Sequence, residues 1–270
     1  MKYDLAIQII NYNTKQYLKN CLEMLLRDLE SAKISYIINI LENGSEDDLY
    51  DIKALFKHDD RINFHFSDVN LGFSGGHNWL AQQCDANFIL LVNPDIKFIQ
   101  PNTIMSLYTF IVSLPDIAAV APKLLTSELK PLPFDHSPFK GFDSVLDPFI
   151  WVNSDKVKEV AIIDAAIILL RKKAFDLVDG FDTKFFMYIE AADLCIRLRE
   201  KNWRIFYLPD VRVIHDSKLT KDKVKYTKDS MDYFIKKHNK SKLLGKVVRS
   251  TINSMPVYEI AKIVVPDYCT

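Results

Sequence analysis

The chain has 270 residues, 49% hydrophobic and 26% charged, so it can bury a sizeable core in one large domain. Lysine plus arginine and aspartate plus glutamate each number 35, and this zero net charge excludes a global electrostatic attraction to nucleic acid. The four cysteines form no C-x-x-C pair, which argues against a zinc site or a disulfide scaffold and suits a reducing cytosol. The N-terminus turns polar too soon for a signal peptide, and no run approaches the roughly 18 apolar residues of a membrane span.

Short apolar runs alternate with amphipathic segments in the first hundred residues. Residues 5–10 predict a buried strand, and Thr14 can cap a helix that continues to about Leu29. The further predicted elements are strands at 36–41, 62–66 and 88–92 and a helix that ends near Phe56. This alternation predicts parallel β-α-β units, an α/β fold whose ligand binds beyond the carboxyl ends of the strands.

The second half of the chain is less regular. Residues 122–148 are rich in proline, aspartate and serine and predict a long loop, whereas residues 160–170 predict a strand that crosses the core. The remaining predicted elements are a helix at 190–201, short strands at 205–208 and 211–215, and a basic helix from about Thr220.

Two motifs at predicted strand ends suit a nucleotide. Glu42 begins Glu-Asn-Gly-Ser, and a carboxylate there can accept the imide N–H of uracil or thymine, although a simple turn capped by Ser45 is the favoured reading of this motif alone. Residues 70–78 contain three of the seven glycines, and the backbone amides of such a loop suit a diphosphate. A flexible surface loop is the alternative.

A third strand end suits a divalent cation. Asp95 closes Asn-Pro-Asp and can hold Mg²⁺ or Mn²⁺ against a diphosphate, although the same three residues equally describe an ordinary turn. His215 ends the last short strand, and it becomes a metal-ligand candidate only if Asp95 is one.

Aromatic residues followed by acids mark the last cluster. Residues 185–188 read Phe-Phe-Met-Tyr, and residues 190–193 read Glu-Ala-Ala-Asp. These residues can form an acceptor pocket with a general base, or equally a core segment followed by acids that favour a helix N-terminus.

In this order the motifs resemble the family 2 glycosyltransferases with a GT-A fold, especially their bacterial rhamnosyltransferase-like branch. The resemblance covers about residues 3–216. It implies a Rossmann-like nucleotide-binding domain with a mostly parallel central sheet, followed by a C-terminal helical extension. It also implies a metal site at Asp95 and His215. The residues that it implies for the nucleotide-sugar are Tyr12, Asn13, Glu42, Asn43, Gly72, Phe73, Gly75, Gly76, Asn78 and Asn93.

One departure from the family pattern concerns catalysis. Ala191 occupies the position of the second acid of E-D-x-D, which the resemblance implies to be the base. Three explanations are open: a substitution engineered to trap a complex, replacement by Glu190 or Asp193, and a non-catalytic relative. The intact residues around position 191 favour the engineered change.

The chain is expected to divide into a catalytic domain, 1–216, and a basic amphipathic extension, 217–270. Residues 217–250 hold 11 lysines and arginines against three aspartates. Such a helix can lie on an anionic membrane, or equally pack on the domain or on a second subunit. The expected location is the cytoplasm, with peripheral contact at the inner face of the cell membrane.

The expected function is inverting transfer of a sugar from a dTDP- or UDP-sugar to a lipid-linked or growing surface polysaccharide. dTDP-L-rhamnose is the first candidate donor, on the resemblance alone. The alternative is a non-catalytic sugar-nucleotide- or glycan-binding partner. A nucleotidyltransferase is disfavoured because residues 9–15 provide no basic, glycine-rich loop for a triphosphate.

Overall fold

The computed structural model describes residues 2–132, 155–215 and 221–238. The strands are β1 (Tyr3–Asn11), β2 (Tyr36–Asn43), β3 (Ile62–Ser67), β4 (Ala86–Val92), β5 (Ile96–Phe98), β6 (Ile117–Leu125), β7 (Lys158–Glu159), β8 (Ile167–Arg171) and β9 (Arg204–His215). The helices are α1 (Lys15–Asp28), α2 (Tyr50–Leu55), α3 (Gly72–Ala81), α4 (Thr103–Ser113), α5 (Lys172–Leu177), α6 (Glu190–Glu200) and α7 (Lys221–His238).

All the strands of the described residues join one sheet in the order β3-β2-β1-β4-β8-β6-β9-β5, with β7 paired to β9. β1 is parallel to β2 and β4, and β2 is parallel to β3. β8 is antiparallel to both β4 and β6, so β6 and its parallel partner β9 run in the direction of β4. Six strands therefore share one direction, and their carboxyl ends lie at one edge. The predicted α/β fold with a mostly parallel sheet is confirmed.

Alternation of side chains along β4 shows how both faces of the sheet are covered. Phe88, Leu90 and Val92 belong to a core cluster that includes the buried faces of α1 and α4. Ile89 and Leu91 point to the other face, where a second cluster contains apolar residues of α5, α6 and α7. A strand buried on both faces explains the continuous apolar run that the sequence shows here.

The strand predicted over residues 160–170 is wrong for most of its length. Only Ile167–Arg171 forms a strand there, and residues 160–166 are irregular although mostly buried. The carboxylate of Asp164 accepts a hydrogen bond of 2.6 Å from the backbone N–H of Ala166. This local bond competes with ladder pairing and turns the chain before β8 begins.

The structure corrects two predictions, the loop at 122–148 and the pair of short strands at 205–208 and 211–215. Both corrections arise where β6 pairs with β9. Pro122 lies within β6, at a register shift in its pairing with β9, where the missing proline N–H is tolerated. β9 holds the extra residues 209–211 at this shift, so residues 205–208 and 211–215 belong to one strand. Residues 133–154 of the predicted loop lie outside the described residues.

Helix α4 is held at its start by an acid from another helix. Asn102 precedes α4 in a left-handed conformation and makes no side-chain cap. Asp28, at the end of α1, instead accepts hydrogen bonds of 2.9 Å from the backbone N–H groups of Thr103 and Ile104. Burial raises the pKa of Asp28 even though these hydrogen bonds oppose the shift. Asp28 therefore joins α1 to α4 on one face of the sheet.

We expect Asp28→Ala to lower the free energy of unfolding by about 1–2 kcal/mol, because two buried N–H groups lose their acceptor. Urea denaturation of the variant and the wild type measures the difference. Glu23→Ala, at a half-exposed position on the same helix, is the matched control and should change stability little. Equal stability of the two variants would contradict the capping role of Asp28.

Candidate functional site

The polar motifs that follow the strands lie along one edge of the sheet. β1 ends at Asn11, and the register of the pairing places Asn11 beside Glu42 of β2. β4 ends at Val92, directly before the Asn-Pro-Asp motif. β9 runs in the same direction and ends at His215. Motifs that are distant in sequence therefore become neighbours.

Glu42 organises the turns after β1 and β2. Its side chain is buried, and its Oε2 accepts a hydrogen bond of 2.5 Å from the side-chain amide of Asn11. Its Oε1 accepts hydrogen bonds from the backbone N–H and the hydroxyl of Ser45. Of the roughly four acceptor positions of a carboxylate, three are thus used within the protein. A base imide predicted to bind Glu42 would share the carboxylate with these donors.

Asp47, which the sequence analysis did not select, completes this network. Its Oδ2 accepts hydrogen bonds of 2.9 Å from the Asn11 side-chain amide and from the backbone N–H of Lys15, the first residue of α1. The predicted cap by Thr14 is wrong, because the Thr14 hydroxyl donates to Asn11 Oδ1 and makes no bond to the helix. An acid 32 residues away caps α1 instead.

Tyr12 and Asn13 lie at the open side of this network. The Tyr12 side chain follows β1 and is 41% exposed, so an aromatic face is available for a flat ring to stack on. Asn13 has a positive φ of 54°, and its side-chain oxygen accepts a 3.3 Å hydrogen bond from the backbone N–H of Glu46. Asn13 therefore fixes the turn on which Tyr12 is carried.

Asn43 and Asn70 order the approach to α3. The Asn43 side chain accepts from the backbone N–H of Leu71 at 3.0 Å and donates to Asn70 Oδ1 at 3.0 Å. Asn70 Oδ1 also accepts from the backbone N–H of Gly72 at 2.8 Å. These bonds hold the end of β2 next to the start of α3. Asn43, which was predicted to bind the nucleotide-sugar, therefore also has a structural role.

The glycine-rich segment is itself the first turn of α3. Gly72 has a positive φ of 69°, and an added Cβ would lie 2.4 Å from the carbonyl oxygen of Phe186. That oxygen accepts a 2.8 Å hydrogen bond from the backbone N–H of Phe73. The backbone of residues 185–189 therefore packs directly on the start of α3, and only glycine fits at position 72.

Three residues predicted to bind the nucleotide-sugar have packing roles instead. An added Cβ on Gly76 would lie 2.7 Å from Ile10 Cδ1, so this glycine permits close approach of α3 to the sheet. The Asn78 side chain exchanges two hydrogen bonds with the backbone of Phe181, at 2.8 and 2.9 Å. The ring of Phe73 packs edge-on against Phe181 at 5.7 Å. Gly75 is less crowded, since its added Cβ would meet only Leu71 Cβ at 3.3 Å.

We expect Gly72→Ala to destabilise the protein by about 2 kcal/mol or more, because of its positive φ and the collision with Phe186. Gly75→Ala is the matched control in the same helical turn, and its added methyl should be neutral or slightly stabilising. Thermal denaturation of both variants measures the effect. A Gly72→Ala protein as stable as Gly75→Ala would contradict the proposed close contact.

Asp95 and His215 form the polar pair predicted as a metal site. β5 pairs with β9 so that Ile96 lies opposite His215, which places Asp95 Oδ1 3.5 Å from His215 Nε2. Both side chains keep some exposure, 19% and 10%. Asn93 is held through its backbone, whose N–H donates to the carbonyl of Ala166 at 2.8 Å. The positions of Asp95 and His215 are therefore fixed by the pairing of β5 with β9 and by the backbone hydrogen bond of Asn93.

This pair fits a hard divalent cation that takes its other ligands from a diphosphate. Mg²⁺ is commonly bound by one or two carboxylates plus substrate phosphates, and Mn²⁺ also accepts imidazole. The described residues contain no cluster of three His, Cys, Asp or Glu side chains that would form a complete cage. His215 Nδ1 is buried and has no partner among the described residues. The pair can complete a site only together with a ligand.

Asp193 lies in a buried ionic network and not in an accessible pocket. Its carboxylate contacts Arg197 Nε at 2.7 Å, Lys237 Nζ at 2.6 Å and His238 Nε2 at 2.7 Å. Burial alone would raise the pKa of Asp193, but hydrogen bonds from His238 and Lys237 and the charge of Arg197 lower it to about 2. Such a carboxylate is a poor proton acceptor near neutral pH, which argues against the predicted role of Asp193 as a substitute base.

Helix α7 fixes the strained segment before α6. Tyr188 and Ile189 both have φ of 67°, a conformation that is costly for a β-branched residue. The Ser230 hydroxyl donates to the Met187 carbonyl at 2.8 Å, while Phe185 is fully buried against α7. The described part of the C-terminal extension thus packs on the domain, the second of its predicted alternatives.

We expect Asp193→Asn to cost about 3 kcal/mol of unfolding free energy at pH 7, because it leaves cations of α6 and α7 without their buried partner. The folded-state pKa of Asp193 is depressed, so its contribution is complete above the unfolded-state pKa and is lost as pH falls through about 2. Denaturant unfolding from pH 7 to pH 2 should show the two proteins converging in acid. A constant difference would contradict the ionic contribution.

Glu190 and Ala191 begin α6 next to this segment. Glu190 is 6% exposed, and its Oε2 is buried with no partner among the described residues. Burial raises the pKa of Glu190 to about 8, with further contributions from the charges of Asp164 and Asp193. Burial also raises the pKa of Tyr188, which feels the charges of Glu190, Asp95 and Asp164.

Asp164 is the site residue that the sequence analysis missed. It precedes β8, and because β8 is antiparallel to β4, it lies at the edge that carries Asp95. Its only sequence signal was that a charged residue interrupts an otherwise apolar run. The edge thus holds three carboxylates whose charges act on Tyr188, those of Asp95, Asp164 and Glu190, with His215 beside Asp95.

Comparison with known proteins places this site in a family. The family described as "Glycosyl transferase family 2" matches residues 6–143. The low-salt glycan biosynthesis hexosyltransferase Agl10 of Haloferax volcanii is 27% identical over 221 residues, 79% of this chain and 67% of the relative. Rhamnosyltransferase WbbL of Escherichia coli is 27% identical over 227 residues, 77% of this chain and 82% of the relative.

A further relative, the N-acetylglucosaminyl-diphospho-decaprenol L-rhamnosyltransferase of Mycobacterium tuberculosis, is 26% identical over 144 residues, 48% of this chain and 47% of the relative. Among solved structures, S. aureus TarS 1-349 has a TM-score of 0.58 at 13% identity, covering 90% of this chain and 68% of TarS. TarS in complex with UDP has a TM-score of 0.60 at 14% identity with the same coverage. These structures share the fold.

None of the helices within residues 2–132, 155–215 and 221–238 combines the length and apolar character needed to cross a bilayer.

Proposed function

Because this chain belongs to glycosyl transferase family 2 and is a glycosyltransferase, we propose that it moves a sugar from a nucleoside diphosphate to an acceptor hydroxyl, with inversion of the anomeric centre. The observation that carries the proposal is the Asp95–His215 pair, 3.5 Å apart at the carboxyl edge of the sheet. Two partly exposed ligands there suit a diphosphate-bound cation.

The proposed donor is a dTDP- or UDP-sugar, with dTDP-L-rhamnose first. Two relatives named as rhamnosyltransferases support the sugar, and the UDP complex of the structurally similar TarS supports a pyrimidine nucleotide. The exposed ring of Tyr12 would stack on the base, and Glu42 would accept its imide N–H in the acceptor position that the protein leaves open. Gly72 and Gly75, in the first turn of α3, would allow close approach of the diphosphate.

The proposed acceptor is a hydroxyl of a lipid-linked or growing surface polysaccharide. A relative whose name specifies a decaprenol-linked substrate supports this class. Contact of the basic residues after α7 with an anionic membrane would bring the enzyme to such an acceptor at the inner face of the cell membrane. Those residues, 239–270, lie outside the described part of the chain, and membrane contact is a prediction.

Asp95 Oδ1 and His215 Nε2 would hold Mg²⁺ or Mn²⁺ beside the diphosphate. When bound, the cation neutralises the charge that develops on the departing nucleoside diphosphate. The chain's own residues orient the donor: Asn43 and Asn70 keep the start of α3 in register with β2, and Asn93 keeps Asp95 on its turn. Orientation of this kind contributes to the rate because the reacting groups no longer have to find each other.

We expect dTDP or UDP to bind in isothermal titration calorimetry with Mn²⁺, and binding to weaken strongly with chelator. Asp95→Asn should reduce metal-dependent affinity by at least about tenfold, because a cation ligand is lost. Asp116→Asn is the matched control, since Asp116 is half-exposed beside Arg204 at the opposite edge of the sheet. GDP tests the preference for a pyrimidine.

Three results would contradict parts of the proposal. Absence of binding by every nucleotide would overturn the donor site, and binding indifferent to chelator would overturn the role of the cation. Equal affinity of the Asp95→Asn and Asp116→Asn variants would remove Asp95 from the site.

A second candidate function rests on one residue. Ala191, at the position of the expected base, favours a non-catalytic protein that binds sugar-nucleotides or glycans. The two candidates differ in their response to Ala191→Asp. This change increases transfer if the chain is an enzyme that lacks an acid, and has no effect on a binding protein.

A further inference from the structure

The absence of an acid at position 191 raises the question of which group accepts the acceptor's proton. Apart from Asp182, which is engaged by Lys237 and Tyr233, the described residues offer the carboxylates of Asp95, Asp164, Glu190 and Asp193 near the start of α6. Asp95 belongs to the proposed cation pair, and the carboxylate of Asp193 is paired with three cationic side chains. Two carboxylates remain for this role.

Asp164 is engaged by its own turn. Its Oδ1 accepts the backbone N–H of Ala166 at 2.6 Å, which holds the chain in the bend before β8. Asp164 therefore serves the shape of the edge, and its negative charge acts on its neighbours.

Glu190 differs from the other carboxylates in one respect. It is more than nine-tenths buried, and its Oε2 lacks a hydrogen-bond partner among the described residues. Leaving such an oxygen unsatisfied costs free energy, and natural proteins retain such groups where they serve a function. Glu190 also directly precedes the position where the family pattern has its acid.

We propose that Glu190 is the general base of this enzyme, and that its Oε2 accepts the proton of the acceptor hydroxyl. The inference rests on the proposed glycosyl transfer. In the step, the acceptor O–H bond breaks and its proton goes to Oε2. The acceptor oxygen bonds to the anomeric carbon, and the bond from that carbon to the diphosphate oxygen breaks. Its electron pair leaves with the nucleoside diphosphate, so no oxidant or reductant is needed.

The surroundings of Glu190 suit a base that works in a dry site. Asp164 faces it from the turn before β8, Asp193 lies on its own helix, and Tyr188 lies in the preceding turn. Burial and the two carboxylates raise its pKa to about 8, so the ionised, proton-accepting form increases as pH rises through about 8. Transfer should follow the same rise, since a base with a pKa near the working pH is the more effective one.

The decisive variant is Glu190→Gln, which keeps size and removes basicity. The assay follows transfer of labelled rhamnose from dTDP-L-rhamnose to a polyprenyl-diphosphate-linked N-acetylglucosamine. We expect kcat to fall by about 10²–10⁴-fold. Affinity for dTDP and Mn²⁺ should remain within about twofold, because nucleotide binding does not use Glu190. If the wild type itself binds no nucleotide, the proposed function fails, whatever the effect of Glu190→Gln.

Asp116→Asn neutralises a half-exposed carboxylate at the opposite edge of the sheet, and it is the control that should leave transfer unchanged. Asp164→Asn neutralises the carboxylate next to Glu190 and should move the pH at half-maximal rate downward, since Glu190 loses a repelling charge. Adding Ala191→Asp to Glu190→Gln should restore transfer with a half-maximal pH below that of the wild type. Transfer abolished by Asp164→Asn but preserved in Glu190→Gln would overturn the proposal.

A measurement without any acceptor keeps the test decisive if no transfer is detected. ¹³C NMR of protein labelled at the glutamate carboxyl carbons identifies Glu190 as the resonance missing from Glu190→Gln. The proposal expects this carboxyl to titrate near pH 8 and, on Asp164→Asn, at lower pH. Titration near the ordinary glutamate value of 4.5 would overturn it.

Discussion

The pairing of the buried Asp193 carboxylate with cations is the interaction on which the start of α6 and the segment before it depend. A charge removed from water must be paired, and here α6 supplies Arg197 while α7 supplies Lys237 and His238. Lys237 Nζ also contacts the carboxylate of Asp182 at 2.7 Å, so α7 is also joined to the turn just before residues 185–188. Docking of α7 is therefore required to neutralise the start of α6.

That docking has consequences across the edge of the sheet. Once α7 is in place, Ser230 and Phe185 hold the segment with two consecutive left-handed residues, and the carbonyl of Phe186 reaches the start of α3. The segment before α6 and the start of α3 thus share one backbone connection. Gly72 marks the point where they meet, because any side chain there would separate them.

Polar groups at this edge differ in how fully they are hydrogen-bonded within the protein. Glu42, Asp47, Asn43 and Asn78 are all bonded within the protein and hold turns together. Glu190 Oε2 and His215 Nδ1 are buried and lack partners among the described residues. Groups of the second kind reduce stability and retain capacity for a ligand or a proton.

Local patterns in the sequence were sufficient for the first half of the fold. The runs at 5–10, 36–41 and 88–92 are strands because short, continuous apolar runs buried on both faces are recognisable without partners. The run at 62–66 forms the edge strand beside them and is only partly buried. Polar motifs at their ends predicted the edge that carries the site. β5, α4 and β6 had no counterpart in the predictions, because their burial comes from contacts with β9 and α1 that sequence spacing does not reveal.

The sequence by itself therefore determined the α/β class and the family, since both depend on short motifs in a fixed order, and it predicted the edge that carries the candidate site. Only the tertiary structure decided which motif residues are open to a ligand. Asn78 and Gly76 are used for packing, and Asp193 for charge neutralisation, although the sequence placed them in binding or catalysis. The pairing of β8 with β4 places Asp164 at the edge that carries Asp95. Asp47 caps α1 from 32 residues further along the chain. Hydrogen-bond satisfaction depends on such distant neighbours, so residue type alone could not separate the two groups.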